Sequence, residues 1–314
     1  MVYDIYFHDD FDGRASAAVL WDYLKKRGDD IKGFYTVDYA LEPRWPKFKF
    51  PRPAIIVDFL YHPKAAMWFD HHVMPFLLPA WKKSFRRTKN MHWDSRYASC
   101  CHFIMDELTK YLGYRPPVHI RELAKWLDVI DGANYKSARQ VIEMKEAPIQ
   151  LAYFIEGRGK KGDPKTWLIK LLAEMPLGEI VKVPRVAKTI SRIRKDLTSS
   201  LAYYRAHSEV NGKTVFTNVT EHTGLKVRFA PFYLFPTCVY SLTLKRERGG
   251  NYHLTVGASP WRREENGFHI GKFMHERFGG GGHKNVGGAD IQSGKRALAI
   301  TREIIKFLLK RYGW

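Results

Sequence analysis

Cysteine is scarce. The three present, Cys100, Cys101 and Cys238, are odd in number and two are adjacent, which argues against a disulfide framework or a thiolate metal site and leaves them as small core residues. Long hydrophobic runs are missing too: none approaches the roughly 18–20 apolar residues that cross a bilayer. The acidic opening, with Asp4, Asp9, Asp10 and Asp12, lacks the basic-then-apolar order of a secretory leader. A cytoplasmic protein without membrane contact is therefore expected. Acidic residues are also few, 32 Asp and Glu against 52 Lys and Arg, for a formal charge of +20. Such an excess points to a polyanionic partner, nucleic acid or nucleotide. With 314 residues and 45% apolar composition, the chain is long enough for two domains with sizeable cores.

What the chain does have is a repeated pattern near its start. Trp68-Phe69-Asp70-His71-His72 is an apolar run that ends in a carboxylate and two imidazoles. Ala54-Ile55-Ile56-Val57-Asp58 has the same form, and Tyr3-Asp4-Ile5-Tyr6-Phe7 runs into His8-Asp9-Asp10-Phe11-Asp12-Gly13. Continuous apolar runs suit buried parallel strands, and open α/β sheets gather ligands at the carboxyl ends of such strands. One Asp or His at a strand end is more often a turn residue than a ligand. Three such ends together outweigh that reading. Three acids within four residues at Asp9, Asp10 and Asp12 repel one another unless a cation sits among them, and carboxylates with imidazoles but no thiolate suit Mn²⁺ better than structural zinc.

These residues carry a resemblance. His8-x-Asp10-x-Asp12-Gly13, a strand ending in Asp58, and Asp70-His71-His72 resemble the first three motifs of the DHH phosphoesterase superfamily, which includes RecJ-like exonucleases and nanoRNases. Phe278-Gly279-Gly280-Gly281-Gly282-His283 is similar to the Gly-Gly-Gly-His signature of the DHH-associated C-terminal domain, so the likeness spans nearly the whole chain. It implies two metal ions, Mn²⁺ with Mg²⁺ or Co²⁺ as substitutes. The ions would share Asp58, with His8 and Asp10 on one and Asp12, His71 and Asp131 on the other. Asp131-Gly132 fits the fourth motif better than Asp128, which stays as the fallback. The resemblance also implies that His72 stabilises or protonates the leaving oxygen while Asp70 orients an imidazole, as hydroxide attacks phosphorus. The glycine run is followed by no Gly-Lys-Ser or Gly-Lys-Thr, which excludes a Walker loop. As a nest of backbone N–H groups, Gly281 and Gly282 with His283 would grip a phosphate or terminal nucleotide, with Arg262 as a second contact.

The expected fold is α/β: a mostly parallel N-terminal sheet flanked by helices, with a smaller C-terminal α/β domain. Residues 1–185 would be the catalytic domain, 186–212 a helical connector and 213–314 the substrate-binding domain. Helices are expected over 15–26, 95–112, 120–130, 186–204, 270–278 and 296–310. Strands are expected over 33–39, 54–59, 66–69, 213–216, 237–244 and 252–257. Segment 40–53, with four prolines, reads as irregular, and breaks fall around Gly157–Pro164 and Pro176–Gly178. The basic stretch 82–89 reads equally as a solvated loop or as a substrate grip, with Trp81 and Phe85 available to stack on bases. The function this implies is a phosphodiesterase that releases nucleoside monophosphates from short single-stranded nucleic acid. The alternatives are a phosphatase acting on 3′-phosphoadenosine 5′-phosphate, a dinucleotide or polyphosphate, and an inactive nucleic-acid-binding protein. The last would lack ligands, and none of the expected ligand types is missing. The motifs leave the oligomeric state open, a homodimer included.

Overall fold

In the computed structural model, which describes residues 1–157, 166–247 and 249–313, the apolar runs near the N-terminus are strands of one parallel sheet. β1 (Val2–His8), β2 (Asp30–Val37), β3 (Ala54–Val57), β4 (Met67–Asp70) and β5 (Met91–Trp93) lie in the order β2-β1-β3-β4-β5, and every pair is parallel. All residues of β3 and β4 are buried, which explains why these strands carry no polar alternation. In this order the chain reverses direction across the sheet between β1 and β3, so the crevice at their carboxyl ends is the natural ligand position. Register sharpens this. Phe7 pairs with Val57 and Val57 with Phe69, so the next residues, His8, Asp58 and Asp70, leave the sheet at one level.

The helix after β1 runs Phe11–Lys26, starting four residues earlier than its apolar spacing indicates, because Asp10 caps it by accepting from the Gly13 N–H at 2.8 Å. Its residues from Phe11 to Leu20 are all buried. Segment 40–53 differs from the irregular reading: Tyr39–Lys47 is a 3₁₀ helix whose fully buried Trp45 donates from Nε1 to the Tyr61 carbonyl at 3.1 Å. Trp81 and Phe85 also differ. They pack edge-on against Tyr61, within an aromatic core that includes Trp45, Phe59 and Trp68, while Lys82, Lys83, Arg86, Arg87 and Lys89 stay exposed. Both rings are half-buried there, which takes part of their area out of water. The three cysteines are buried, as expected.

The chain divides into two compact units, Met1–Asn134 with Lys145–Ile190, and Tyr135–Met144 with Ser191–Trp314. The division falls inside the helix Pro184–Ala206. The second unit holds a mixed sheet of β6 (Ser208–Asn211), β7 (Thr214–Asn218), β8 (Tyr240–Arg246), β9 (Tyr252–Ala258), β10 (Gly281–His283) and β11 (Val286–Ile291), in the order β10-β11-β9-β8-β7-β6. Only β7 and β8 pair in parallel. Helices Ile270–Phe278 and Gly294–Tyr312 contribute Ile270, Met274, Ile300, Ile304 and Leu308 to the core on this sheet. The expected break at Gly157–Pro164 lies, beyond Gly157, outside the described residues. Among the described residues no helix is long and apolar enough to cross a membrane.

Candidate metal centre

The common level of the three strand ends brings the predicted donors of the first unit together. Asp58 stands in the middle. Its Oδ2 is 3.7 Å from His8 Nδ1 and its Oδ1 is 3.4 Å from His71 Nε2, so one oxygen faces each side of the cluster. On the first side His8 Nδ1 is 2.7 Å from Asp10 Oδ2. On the second, His71 Nε2 lies 3.6 Å from both Asp12 Oδ2 and Asp131 Oδ2. His8, Asp10 and Asp58 form one group whose ligand atoms lie within 4.8 Å of one another; Asp12, His71 and Asp131 form another, and Asp58, His71 and His72 a third.

Local structure fixes each donor. Asp58 has φ of +55°, a left-handed conformation that costs a non-glycine residue energy and persists where the surroundings impose it. Its N–H donates to the Phe69 carbonyl at 3.0 Å, tying it to the neighbouring strand. Asp12, buried in the first turn of its helix, accepts from the N–H groups of Cys100 at 2.6 Å and Cys101 at 3.0 Å, where the helix Cys100–Leu112 begins. His71 Nδ1 is 3.1 Å from the Tyr97 carbonyl; a proton held there leaves Nε2 bare for a metal. Gly13 must be glycine, since a Cβ would lie 2.2 Å from the His8 carbonyl oxygen.

The electrostatics is unbalanced. Burial, with the charges of Asp58 and Asp131, pushes Asp12 well above the usual carboxylate range. Burial and Asp58 raise Asp131 to about 7. Asp58 is the exception: burial would raise it, but His71 and His8 at ion-pairing distance hold it at about 2. The two imidazoles respond in kind. Although burial opposes their charge, Asp10 and Asp58 raise His8 to about 10, and Asp58 and Asp12 raise His71 to about 10. Asp58 is 1% exposed, yet among the described residues neither carboxylate oxygen has a hydrogen-bond partner, an arrangement that is costly unless a cation meets them. The donors are imidazole nitrogens and carboxylate oxygens. Cys100 does not compete, because its thiol donates to the Phe69 carbonyl and burial raises it far above neutrality. The side chains therefore fit hard to borderline divalent ions.

Asp70 and His72 are paired. His72 Nδ1 lies 2.7 Å from Asp70 Oδ1, which also accepts the His71 N–H at 2.9 Å. Trp93 Nε1 donates to the His72 carbonyl at 2.8 Å. Asp128 is engaged elsewhere, accepting from Ser99 Oγ at 2.7 Å and lying 2.5 Å from His102 Nδ1. Arg14 carries no assignment from the motifs. It is 3% exposed, donates from Nη1 to the Asp10 carbonyl at 2.6 Å and from Nη2 to Asp9, and so shapes the loop that presents His8 and Asp10. A guanidinium in an otherwise Ala-rich buried turn is the signal that could have found it.

The remaining predicted residues belong to the second unit. Gly281, Gly282 and His283 form β10, whose backbone pairs with β11 from Gly281↔Gly288 to His283↔Val286. The glycine run thus lies on the edge strand of a hairpin. Its glycines answer to packing: Gly282 has φ of +139°, and a Cβ on Gly271 would meet the Gly282 carbonyl at 2.2 Å. The His283 side chain is exposed. Arg262 pairs with Glu265 at 2.5 Å and lines a cavity of about 250 Å³ with Ala138, Phe232, Tyr233 and Trp261.

The sequence matches no protein-family model and no curated protein. Solved structures do match. The pGpG-specific phosphodiesterase PggH from Vibrio cholerae aligns over 97% of this chain and 98% of its own at 20% identity, with a TM-score of 0.77. RecJ from Thermus thermophilus, solved in complex with Mn²⁺, aligns over 99% of this chain and 52% of its own at 14% identity, with a TM-score of 0.56. An exopolyphosphatase-related protein from Bacteroides fragilis aligns over 98% of this chain and 93% of its own at 13% identity, with a TM-score of 0.52.

Proposed function

We propose that this chain, which has the DHH-superfamily, RecJ-like fold, is a metal-dependent phosphodiesterase that cleaves short single-stranded oligonucleotides to nucleoside monophosphates. The observation that carries the reading is Asp58: a buried carboxylate, strained in its backbone, without a hydrogen bond, offering one oxygen to each of two donor groups. His8, Asp10 and Asp58 would hold one divalent ion and Asp58, Asp12, His71 and Asp131 a second. Such ions, Mn²⁺ with Mg²⁺ or Co²⁺ as substitutes, supply positive charge to the phosphate and an ionised water at neutral pH.

The chain's own residues do the rest. Asp70 holds the Nδ1 proton of His72 and, against burial, raises that imidazole's affinity for a second proton. His72, so oriented, would deliver a proton to the leaving oxygen. Asp70 is itself raised by burial, with the His72 contact opposing, so it acts by orientation. Tyr97 and the Cys100 and Cys101 N–H groups keep His71 and Asp12 from rotating away. His283, Gly281, Gly282 and Arg262 of the second unit would hold the substrate's other phosphate or terminal nucleotide. The short-substrate reading draws support from PggH, which is specific for pGpG and whose fold aligns end to end. The formal charge of +20 supports a polyanion, and a cytoplasmic location accords with such a substrate.

The test is chromatography of a 5′-phosphorylated dinucleotide, a longer single strand, 3′-phosphoadenosine 5′-phosphate and polyphosphate, each with Mn²⁺ and with chelator, alongside Asp58→Asn. Mononucleotide release from the dinucleotide that needs Mn²⁺ and Asp58 is expected. Turnover of only the phosphomonoester or polyphosphate would move the protein to the small-molecule phosphatases.

A further inference from the structure

Beside the acidic cluster stands an aromatic ring that neither metal binding nor proton transfer uses. Tyr39 follows the carboxyl end of β2, where Asp38 accepts the Ala40 N–H at 2.8 Å and begins the 3₁₀ turn. Its ring centroid is 5.4 Å from His8 at 71° and 6.4 Å from His72 at 83°. Phe59, the residue after Asp58, backs it at 5.4 Å. The ring is thus fixed on its inner side by the imidazoles of both proposed functions and by the core. It nevertheless remains 44% exposed. Immediately after His72 come Val73 and Met74, 77% and 85% exposed.

Polar solvent-facing residues would be expected around a site that took only phosphate or polyphosphate. Exposed large apolar side chains flanking the cluster in the chain call instead for an apolar group carried by the phosphate. A nucleobase has that chemistry, since every base offers a π-face to an aromatic ring. We infer that Tyr39 forms a nucleobase subsite at the rim of the metal centre, and that stacking on Tyr39 makes this site select nucleotides over base-free phosphate esters. The inference rests on the phosphodiesterase reading for the position of the phosphate.

The experiment measures binding and turnover separately. Calorimetry with Mn²⁺ would compare a dinucleotide whose bridging oxygen is replaced by methylene with the abasic compound of the same backbone, on the wild type, Tyr39→Ala and Tyr39→Phe. Wild type should prefer the base-bearing compound. Tyr39→Ala should weaken it roughly 10-fold or more while leaving the abasic affinity alone, and Tyr39→Phe should keep the preference. With hydrolysable dinucleotide, Tyr39→Ala should raise KM and leave kcat within about twofold. Equal affinity of the wild type for both compounds would overturn the inference. So would a Tyr39→Ala protein that loses Mn²⁺ binding and turnover on both backbones alike, since the ring would then only brace His8 and His72. A wild type that binds with base preference but does not hydrolyse would sink the phosphodiesterase reading and leave the subsite standing.

Discussion

Raising the pH should tighten Mn²⁺ binding by about tenfold for each ion, or about 100-fold for the two ions together, per unit between about pH 7.5 and pH 9. The cause is the pair His8 and His71, each raised to about 10 by surrounding carboxylates that overcome the cost of burial. Both rings carry a proton in the metal-free protein across this range, and a metal accepts only a neutral ring nitrogen. Two protons must leave as the ions enter, and each released proton adds about tenfold in affinity per pH unit. Asp131, raised to about 7 by burial and Asp58, contributes a further fractional proton at the lower end. The metal-free fold should respond with the opposite sign. Imidazoles raised above their ordinary 6.5 contribute stability that is full below that value and is lost as pH rises through about 10. Asp131 adds to the same trend between 3.8 and about 7, because its folded form binds the proton more tightly than the unfolded chain does. The stabilisation conferred by Mn²⁺ should therefore widen with pH from both directions. Calorimetric titrations under nitrogen, in buffers of unlike ionisation enthalpy, count the protons, and melting midpoints with and without Mn²⁺ follow the stability. A released-proton count near zero with pH-independent affinity would refute His8 and His71 as ligands.

Asn tolerates the left-handed backbone that Asp58 adopts, so Asp58→Asn should keep the metal-free fold within about 1 kcal/mol in a melting experiment while losing Mn²⁺ binding and turnover. Retained turnover would remove Asp58 from the centre of the site. Asp128→Ala should leave Mn²⁺ affinity within a few-fold and lower stability by about 1–3 kcal/mol, because it strips Ser99 and His102 of their acceptor; loss of Mn²⁺ in calorimetry would reinstate Asp128 as a ligand. His283→Ala should raise KM for the dinucleotide and leave metal uptake unchanged, whereas loss of metal would contradict the separation of roles. Gly282→Ala should destabilise the protein by about 2 kcal/mol or more, seen as a lower melting midpoint, since its Cβ would lie 2.3 Å from the Val286 carbonyl oxygen at φ of +139°.

The sheet was legible because burial on both faces leaves strands with no option but a continuous apolar run, and such runs ending in His8, Asp58 and Asp70 have few other readings. Parallel register then sets those ends side by side. What supports them was not legible. Asp12 is held by the N–H groups of Cys100 and Cys101, and His71 by the Tyr97 carbonyl. Backbone groups are common to every residue, so no letter marks them. Asp131 and Asp128 look alike as acids at the end of one helix; they part only because Ser99 and His102, three residues apart, reach Asp128. For the glycine run the letters leave the packing unstated: Gly271 of a neighbouring helix presses on Gly282, and that close backbone approach requires glycine whatever the run binds. Trp81 and Phe85 stand among bases in the sequence, and only the fold shows that each ring also packs edge-on against Tyr61.

A protein of formal charge +20 that keeps a group of carboxylates away from its Lys and Arg poses a question of placement. Asp12, Asp58 and Asp70 are almost fully buried, and none of the ion pairs found for them among the described residues involves Lys or Arg. Arg14, the buried guanidinium close by, is turned to Asp9 and to the Asp10 carbonyl. This arrangement is what metal binding requires. A Lys or Arg inside the cluster would satisfy the carboxylates permanently, since neither gives up its proton near neutrality, and an incoming ion would have to displace it. Histidine is different: the charge that balances the acids in the metal-free state can leave as a proton, and the same nitrogen then becomes a ligand. As the proposed ligands, His8 and His71 would serve as removable counter-ions. Replacing His71 with Lys tests the point, because it should preserve or raise metal-free stability while abolishing Mn²⁺ uptake; a variant that still took up Mn²⁺ at the His71 side would show that charge balance is not what this imidazole supplies.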